Sequence, residues 1–459
     1  MRSLRRPHRG PNLCVSPFPR KLALPATLPR RTDRRATLSE PMRHRPAALI
    51  FILITVLIDV IGIGLIIPVL PELMRGLTGS EASAAQGAGW IAAVYSTMQF
   101  LCAPVIGALS DRFGRRPVLL AAIFGTGFDY VLLYFAPSLA WLIVGRVIVG
   151  ILGASFTVAN GYIADVSAPE DRAKNFGYIG AMFGLGFILG PLIGGVLGDR
   201  DVHLPFAFAA GLSLVNGLYG FFVLPESLPP EKRRAHFGWA DLNPFKAIGQ
   251  AWKYPVFRMM TTTLVLVFLG QQSIFHTWNF FSQKTLGWDP KHSGFALAYV
   301  GLVTAIVQGG LIGVFVKKFG ERTTISIGLV LSSVELFLFG LVRQDWQMYA
   351  VITVGSLAGI AGPTIQGFIS RQIDESEQGV IQGSILGLQS FVSAIGPVLM
   401  TAVYAYFNSP AAPAQIPGAA FFLGAIFAAI ATIVTLPLLR KFPDPPEEEI
   451  PGANIVVES

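Results

Sequence analysis

Between Leu204 and Leu224 the chain carries no charged side chain, and between Ala47 and Leu70 it carries one, Asp59. A segment inside hydrocarbon must satisfy its own backbone hydrogen bonds, which leaves only helices and closed barrels. A helix needs about 20 apolar residues to cross a bilayer core of about 30 Å. These runs have that length, and they lack the alternation over about ten residues that a barrel strand shows. Twelve such runs can be read along the chain, near 47–70, 88–109, 118–136, 139–163, 175–197, 204–224, 259–282, 292–316, 323–342, 347–370, 378–406 and 417–438. The expected fold is an all-α polytopic membrane protein. Composition agrees: 14% of residues are charged and mean hydropathy is +0.57, whereas a soluble domain carries about 25% charged residues.

The net charge of +8 would suit a nucleic-acid partner, but its placement argues against one. Twelve of the 35 Lys and Arg lie in residues 1–45, and most others fall in short loops between spans. With the amino terminus inside, the inner segments beyond that tail hold 17 Lys and Arg, and the outer loops hold five: Arg75, Arg200, Lys284, Lys291 and Arg343. Basic residues collect on the cytoplasmic side. Both termini are therefore expected in the cytoplasm, with the spans in a bacterial inner membrane. Residues 1–45 are rich in Arg and Pro and lack the apolar region of a secretory signal. They read as a disordered basic tail, with Met42 as an alternative start. Cys14 lies in that tail and Cys102 within a span, so no disulfide is expected.

The longest charged interruption, Pro225 to Tyr254, contains Glu231, Lys232, Arg233 and Arg234 and follows the sixth span. It divides the chain into a first bundle over 46–224, a cytoplasmic linker over 225–255, a second bundle over 256–440 and a tail over 441–459. The two bundles repeat. Gly107 and Gly313 differ by 206, as do Phe113 and Phe319, Gly114 and Gly320, Arg116 and Arg322, and Gly177 and Gly383; Gly190-Pro191 returns as Gly396-Pro397. Two repeated helical bundles around a midplane cavity are the layout of alternating-access carriers.

The most specific local pattern is Gly107-Ala-Leu-Ser-Asp111-Arg112-Phe-Gly114-Arg115-Arg116-Pro117, in the short turn between the second and third spans. Gly107 permits close helix approach, and Gly114 a sharp turn. Asp111 can pair with a nearby Arg or accept from a helix N-terminus. With this loop the chain resembles the major facilitator superfamily, over about residues 47–440. That resemblance implies two pseudo-symmetric six-helix bundles, and a loop that stabilises the outward-facing state. In the fourth span Arg146, with Gly150, Gly153, Ala154, Tyr162 and Asp165, fits the family pattern that places an Arg in the membrane; Asp165 is expected to cap a helix end. In the fifth, Gly184-Leu-Gly186-Phe-Ile-Leu-Gly190-Pro191-Leu-Ile-Gly194-Gly195 resembles the signature of proton-coupled drug antiporters.

The resemblance is closer to the tetracycline/proton antiporters. Leu57-Ile-Asp59-Val-Ile-Gly62-Ile-Gly64-Leu-Ile-Ile-Pro68-Val-Leu-Pro71 is similar to their first helix, and Gln99-Phe-Leu-Cys102-Ala-Pro104 leads into their loop signature; Asp129 fits as well. The second half departs from them: Thr304 and Ser332 stand where a His and an Asp are expected. Glu335 lies three residues after Ser332, near the same helical face. The implied activity is proton-driven export of tetracycline-like or other amphipathic drugs, with the proton gradient as energy source, no cofactor and no metal, by a chain working as a monomer in the lipid bilayer.

An ionisable group in hydrocarbon is costly, so each needs a reason. Asp59, Asp129, Arg146 and Glu335 are the principal cases. One reading is an ion pair that locks helices, Asp59 or Asp129 with Arg146. The other is a proton site: burial favours the neutral carboxyl and a neighbouring Arg the charged one, so trading an Arg for a substrate moves a proton. Gln99, Gln272, Gln308, Gln366 and Gln389, with His276, are polar groups in apolar helices. Some are expected to face substrate and others to bond neighbouring helices. The alternative functions are export of an endogenous metabolite or siderophore, a membrane-embedded enzyme, and a receptor. No HExxH, GxSxG or Walker A pattern occurs, which disfavours hydrolysis and ATP-driven pumping.

Overall fold

The computed structural model describes residues 46–152, 155–167, 171–234, 243, 245–373 and 377–441. The expectations for the tails at 1–45 and beyond 441 lie outside the described residues. Those described form helices: α1 (Pro46–Ile66), α2 (Leu70–Thr78), α3 (Glu81–Phe113), α4 (Arg115–Tyr134), α5 (Leu139–Leu152), α6 (Ser155–Val166), α7 (Arg172–Gly198), α8 (Leu204–Val223), α9 (Lys246–Ala251), α10 (Pro255–Leu286), α11 (Pro290–Ile306), α12 (Ile312–Phe319), α13 (Glu321–Leu341), α14 (Asp345–Ala358), α15 (Ala361–Arg371), α16 (Gln378–Phe407) and α17 (Ala419–Leu439).

Where a run breaks, the cause is local. The first run was expected to reach Leu70 unbroken. Instead α1 stops at Ile66, and a turn over residues 67–69 leads into α2. Pro71 has no N–H to give to the Ile67 carbonyl four residues back, whereas the Val69 carbonyl accepts from the Leu73 N–H at 3.0 Å. Gly79, at φ +76°, ends α2, and Ser80 opens α3 by accepting from the Ser83 N–H at 3.2 Å. Gly114, at φ +105°, separates α3 from α4, a backbone value that suits glycine. Its repeat mate Gly320, at +76°, separates α12 from α13. A π-turn at Val307–Leu311 joins α11 to α12.

Eleven helical segments among the described residues are long and apolar enough to cross a membrane. The seventh of the twelve expected runs behaves differently. It falls in α10, a continuous helix of 32 residues whose second half carries Gln271, Gln272, His276, Asn279, Gln283 and Lys284. Those polar groups lower its hydropathy because much of that stretch faces the protein interior rather than lipid.

The core is distributed unevenly. At the end remote from the Gly107–Pro117 loop, one apolar cluster takes Ile61, Leu65, Val69 and Phe206 from the first half together with Trp278, Phe281, Tyr404 and Phe421 from the second. At the loop end there are two clusters. One, around Phe51, Leu119, Tyr162 and Ile163, is built from the first half alone. The other, around Phe257, Leu329, Phe368 and Ile385, is built from the second alone. The halves are joined at one end and parted at the other.

Helices α7 and α11 trace the same wedge. A methyl on Gly195 would meet the Pro290 carbonyl oxygen at 2.6 Å, and one on Gly301 would meet Ile188 at 2.6 Å. Farther toward the loop end, Gly184, Gly180 and Gly177 on α7 and Gly309, Gly310 and Gly313 opposite would have nothing within 4 Å.

Candidate functional site: a cavity between the halves

The wedge encloses a cavity of about 780 Å³. Its walls come from both halves. The first half supplies Asp59 from α1, Tyr95 and Ser96 from α3, Asp129 and Tyr130 from α4, and Arg146 from α5. From the second half come Gln271, Gln272, Phe275, His276 and Asn279 on α10, Gln308 in the π-turn, Ser332 and Glu335 on α13, and Gln389 and Ser393 on α16. The mixture of amide, hydroxyl, carboxyl and aromatic groups suits a flat amphipathic solute.

All four ionisable residues singled out from the sequence therefore line one space. Asp129 is fully buried and ion-paired through Oδ2 with Nη2 of Arg146. Asp129 is one of the two carboxylates the sequence left open to that role. Its Oδ1 has no hydrogen-bond partner among the described residues. The Arg146 guanidinium also lies 5.9 Å from the centroid of the Tyr95 ring, within cation–π range. Gly145 makes room for the Asp129 carboxyl, since a methyl there would collide with it. Across the cavity Glu335 is 7% exposed. Ser332 lines the cavity too, so the two residues do share a face, as their spacing predicts.

The amides divide between walls and struts. Gln272, Gln308, Gln389 and His276 line the cavity, and Gln272 donates to Ser393 Oγ at 3.0 Å, tying α10 to α16. Gln99 and Gln366 are not on the walls. Gln99 donates to the Tyr95 hydroxyl at 3.2 Å and so positions a wall residue. Tyr95, Gln271, Phe275 and Ser393 went unremarked in the sequence. Tyr95, four residues before Gln99 and one turn away on the same helix, carried the signal.

At the parted end the loop motif folds back on its own half. Arg115 pairs with Asp111 at 2.7 Å and Asp165 at 3.2 Å, and donates to Ser110 Oγ at 2.6 Å. Asp165 was expected to cap a helix. It lies in the last turn of α6, where no free N–H groups point at it, and acts as an ion-pair acceptor. Glu226 supplies the cap instead: its carboxylate accepts from the N–H groups of Arg115 at 2.9 Å and Arg116 at 3.3 Å, at the start of α4. Ser227 Oγ donates to Asp165 at 3.2 Å. Both Glu226 and Ser227 had been assigned to the linker. Arg116 donates to the Phe221 carbonyl at 2.6 Å, and the Arg112 guanidinium lies 5.4 Å from the Phe113 ring centroid. Gly107 is not a close-contact site in this state, since a methyl there would come no nearer than 3.9 Å to Thr157.

The glycines of α7 do serve close packing. Methyls on Gly186 and Gly190 would meet Val60 at 2.6 Å and the Ile61 carbonyl at 2.8 Å, and one on Gly194 would collide with Leu65. Gly64 is held against Pro191 in the same seam. Gly195 turns the other way, onto α11 of the second half. At this joined end polar contacts also cross between the halves. Arg75, held by Glu81 of its own half at 2.7 Å, donates to Gln283 at 2.8 Å, Tyr404 donates to Glu81 at 3.1 Å, and Asn279 and Gln283 donate to the Pro68 carbonyl at 3.2 and 3.1 Å.

Comparison with known proteins agrees with this architecture. The family model for the Major Facilitator Superfamily matches residues 52–397 and 309–456. The class C tetracycline resistance protein of Escherichia coli is 38% identical over 394 residues, covering 86% of this chain and 96% of that protein. The class B protein of Escherichia coli is 36% identical over 355 residues, 77% and 87% of the two chains. Among solved structures, the human organic anion transporter MFSD10 (TETRAN) shares the fold with a TM-score of 0.63 at 23% identity, over 85% of this chain and 99% of that one. Its helices, its repeat, its central cavity and these matches together place the chain in one family: it belongs to the major facilitator superfamily.

Proposed function

We propose that the chain is a proton-coupled antiporter of a bacterial inner membrane, exporting tetracycline-like or other amphipathic drugs. The loop end faces the cytoplasm, as do both termini. The observation that carries this reading is the cavity itself: roomy, amphipathic, parted toward the loop end and walled by the Asp129–Arg146 pair opposite Glu335. The relatives named for tetracycline resistance support the substrate class.

A drug enters from the cytoplasm and settles against the amide and aromatic walls. The halves then close at the loop end and part at the Arg75–Glu81 end, and the drug leaves. Protons from outside load the carboxylates, of which Asp129, once neutral, no longer holds Arg146. Resetting the halves returns the protons inward. Because an ionised carboxylate without its partner is costly at this depth, transit is favoured when each carboxyl is either protonated or paired. Asp59, Asp129, Arg146 and Glu335 thus act as the coupling set, and the Gly107–Arg116 loop as the cytoplasmic gate.

The test is tetracycline uptake into inverted membrane vesicles, with and without an imposed pH gradient. Gradient-dependent, saturable uptake that disappears in Asp59→Asn and in Asp129→Asn, with normal membrane abundance, is the expected result. Full activity in both variants sinks the coupling assignment, and no uptake by well-inserted protein sinks the tetracycline assignment.

A further inference from the structure

The buried carboxylates of the two halves are repeat mates: 335 − 129 = 206, the shift that relates Gly107 to Gly313. In the first half this position has a built-in cation, Arg146. The residue related to Arg146 is Ile352, since 352 − 146 = 206, and it is buried among apolar side chains. Among the described residues Glu335 has no hydrogen-bond or ion-pair partner, and it lines the cavity whose walls also carry Phe268 and Phe275. Gly355 leaves space for it, since a methyl there would collide with the carboxyl.

A nine-tenths-buried carboxylate without a counter-charge is relieved by a proton or by a cation. An arginine in the chain would relieve it permanently. A ligand relieves it only while bound, which is what a carrier needs. The aromatic rings on the same walls add attraction for positive charge and for flat apolar surface.

We infer that Glu335 is a recognition point for organic cations, and that this transporter also accepts amphipathic monocations bearing a fixed charge. The inference rests on the antiport reading of the same cavity. It requires no hydrogen-bond donor on the ligand, only a delocalised positive charge with apolar surroundings.

Tetraphenylphosphonium is the probe, since it is permanently charged, has no titratable group and offers no metal-chelating atoms. Its binding to the purified full chain is measured by calorimetry, in parallel with tetracycline uptake in vesicles. Saturable binding by the native chain is expected, weakened about thirtyfold or more in Glu335→Gln. Gly355→Ala, which displaces the carboxyl without removing its charge, is expected to weaken binding as well, and it carries the test if the Gln variant aggregates on gel filtration. Absence of saturable binding by the native chain, or unchanged affinity in a monodisperse Gln or Ala variant, overturns the inference. Tetracycline uptake that persists beside such a result leaves the antiport reading standing. Phosphonium binding that depends on Glu335, without tetracycline uptake, sustains the cation site and removes tetracycline from the range.

Discussion

The two halves share one backbone plan and differ in where they place charge. In the loop of the first half, Arg115 pairs with Asp165. At the related positions of the second half, Glu321 pairs with Arg371, the same bridge with its signs exchanged. Inside the membrane, Asp129 has Arg146 beside it, while its mate Glu335 has none. The backbone features between these points are kept, including the left-handed glycines at 114 and 320. The packing of the repeat thus fixes where a charge can sit. Which charge sits there is decided by its neighbours, and the halves have been free to diverge in it. The first half holds its buried acid Asp129 in an ion pair of its own. The second half leaves the mate of that acid, Glu335, without one among the described residues.

The largest break in that contrast comes from imposing the second half's condition on the first. Arg146→Gln leaves Asp129 buried without its cation. We expect gradient-driven uptake to be lost, and detergent-solubilised protein to be destabilised by about 3–5 kcal/mol, the penalty for breaking a buried pair, checked by denaturant or thermal unfolding. A variant with native stability and native transport would show that the pair is dispensable.

Next in size is the seam between halves at the joined end. Gly195→Ala places a methyl within 2.6 Å of the Pro290 carbonyl oxygen, against backbone that cannot easily retreat. The variant should shift the population away from the state described here, read as raised thiol labelling of a cysteine placed at position 283. Gly313→Ala, with nothing within 4 Å in this state, should leave that labelling unchanged, so the two substitutions form a matched pair.

The smallest effect sharpens the gate comparison. Exchanging partners in the second half, with Glu321→Arg and Arg371→Glu together, should recover most of the transport lost by either change alone. The coupling in such a cycle is about 1 kcal/mol for a partly exposed pair. The corresponding exchange at Arg115 and Asp165 should not recover, because Arg115 also serves Asp111 and Ser110, and Asp165 also accepts from Ser227. Equal recovery in both halves would show that the extra partners of Arg115 contribute nothing.

Much of this was legible in the sequence. Run length alone gave a helical membrane protein, and the 206-residue shift gave the two halves. Run length could not show that α1 ends at Ile66, because apolarity continues through Pro68 and only the prolines mark the break. The same measure understates α10, since a helix that faces a polar-walled cavity carries the polar side chains that lower its mean hydropathy. Asp59, Asp129, Arg146 and Glu335 stood out because charge in an apolar run is conspicuous. Tyr95 did not, because a tyrosine in a membrane helix is unremarkable until its hydroxyl is seen held by Gln99. Glu226 was hidden for a different reason. Its role depends on the distant N-terminus of α4 coming to meet it, 110 residues away from Arg116 along the chain.

The turn at residues 67–69 has a consequence for how this protein reverses. Pro71 strands the Ile67 carbonyl oxygen that a continuous helix would use internally, and side chains of the opposite half now occupy it and the neighbouring Pro68 carbonyl. Such a joint behaves as a fastening that water can undo. When the halves separate there, solvent hydrates the same oxygens, so little hydrogen-bonding enthalpy is lost on either side of the exchange. A seam made only of interlocked apolar side chains would have no such substitute. The break in the first helix therefore makes the closure at this joined end firm while shut and inexpensive to release.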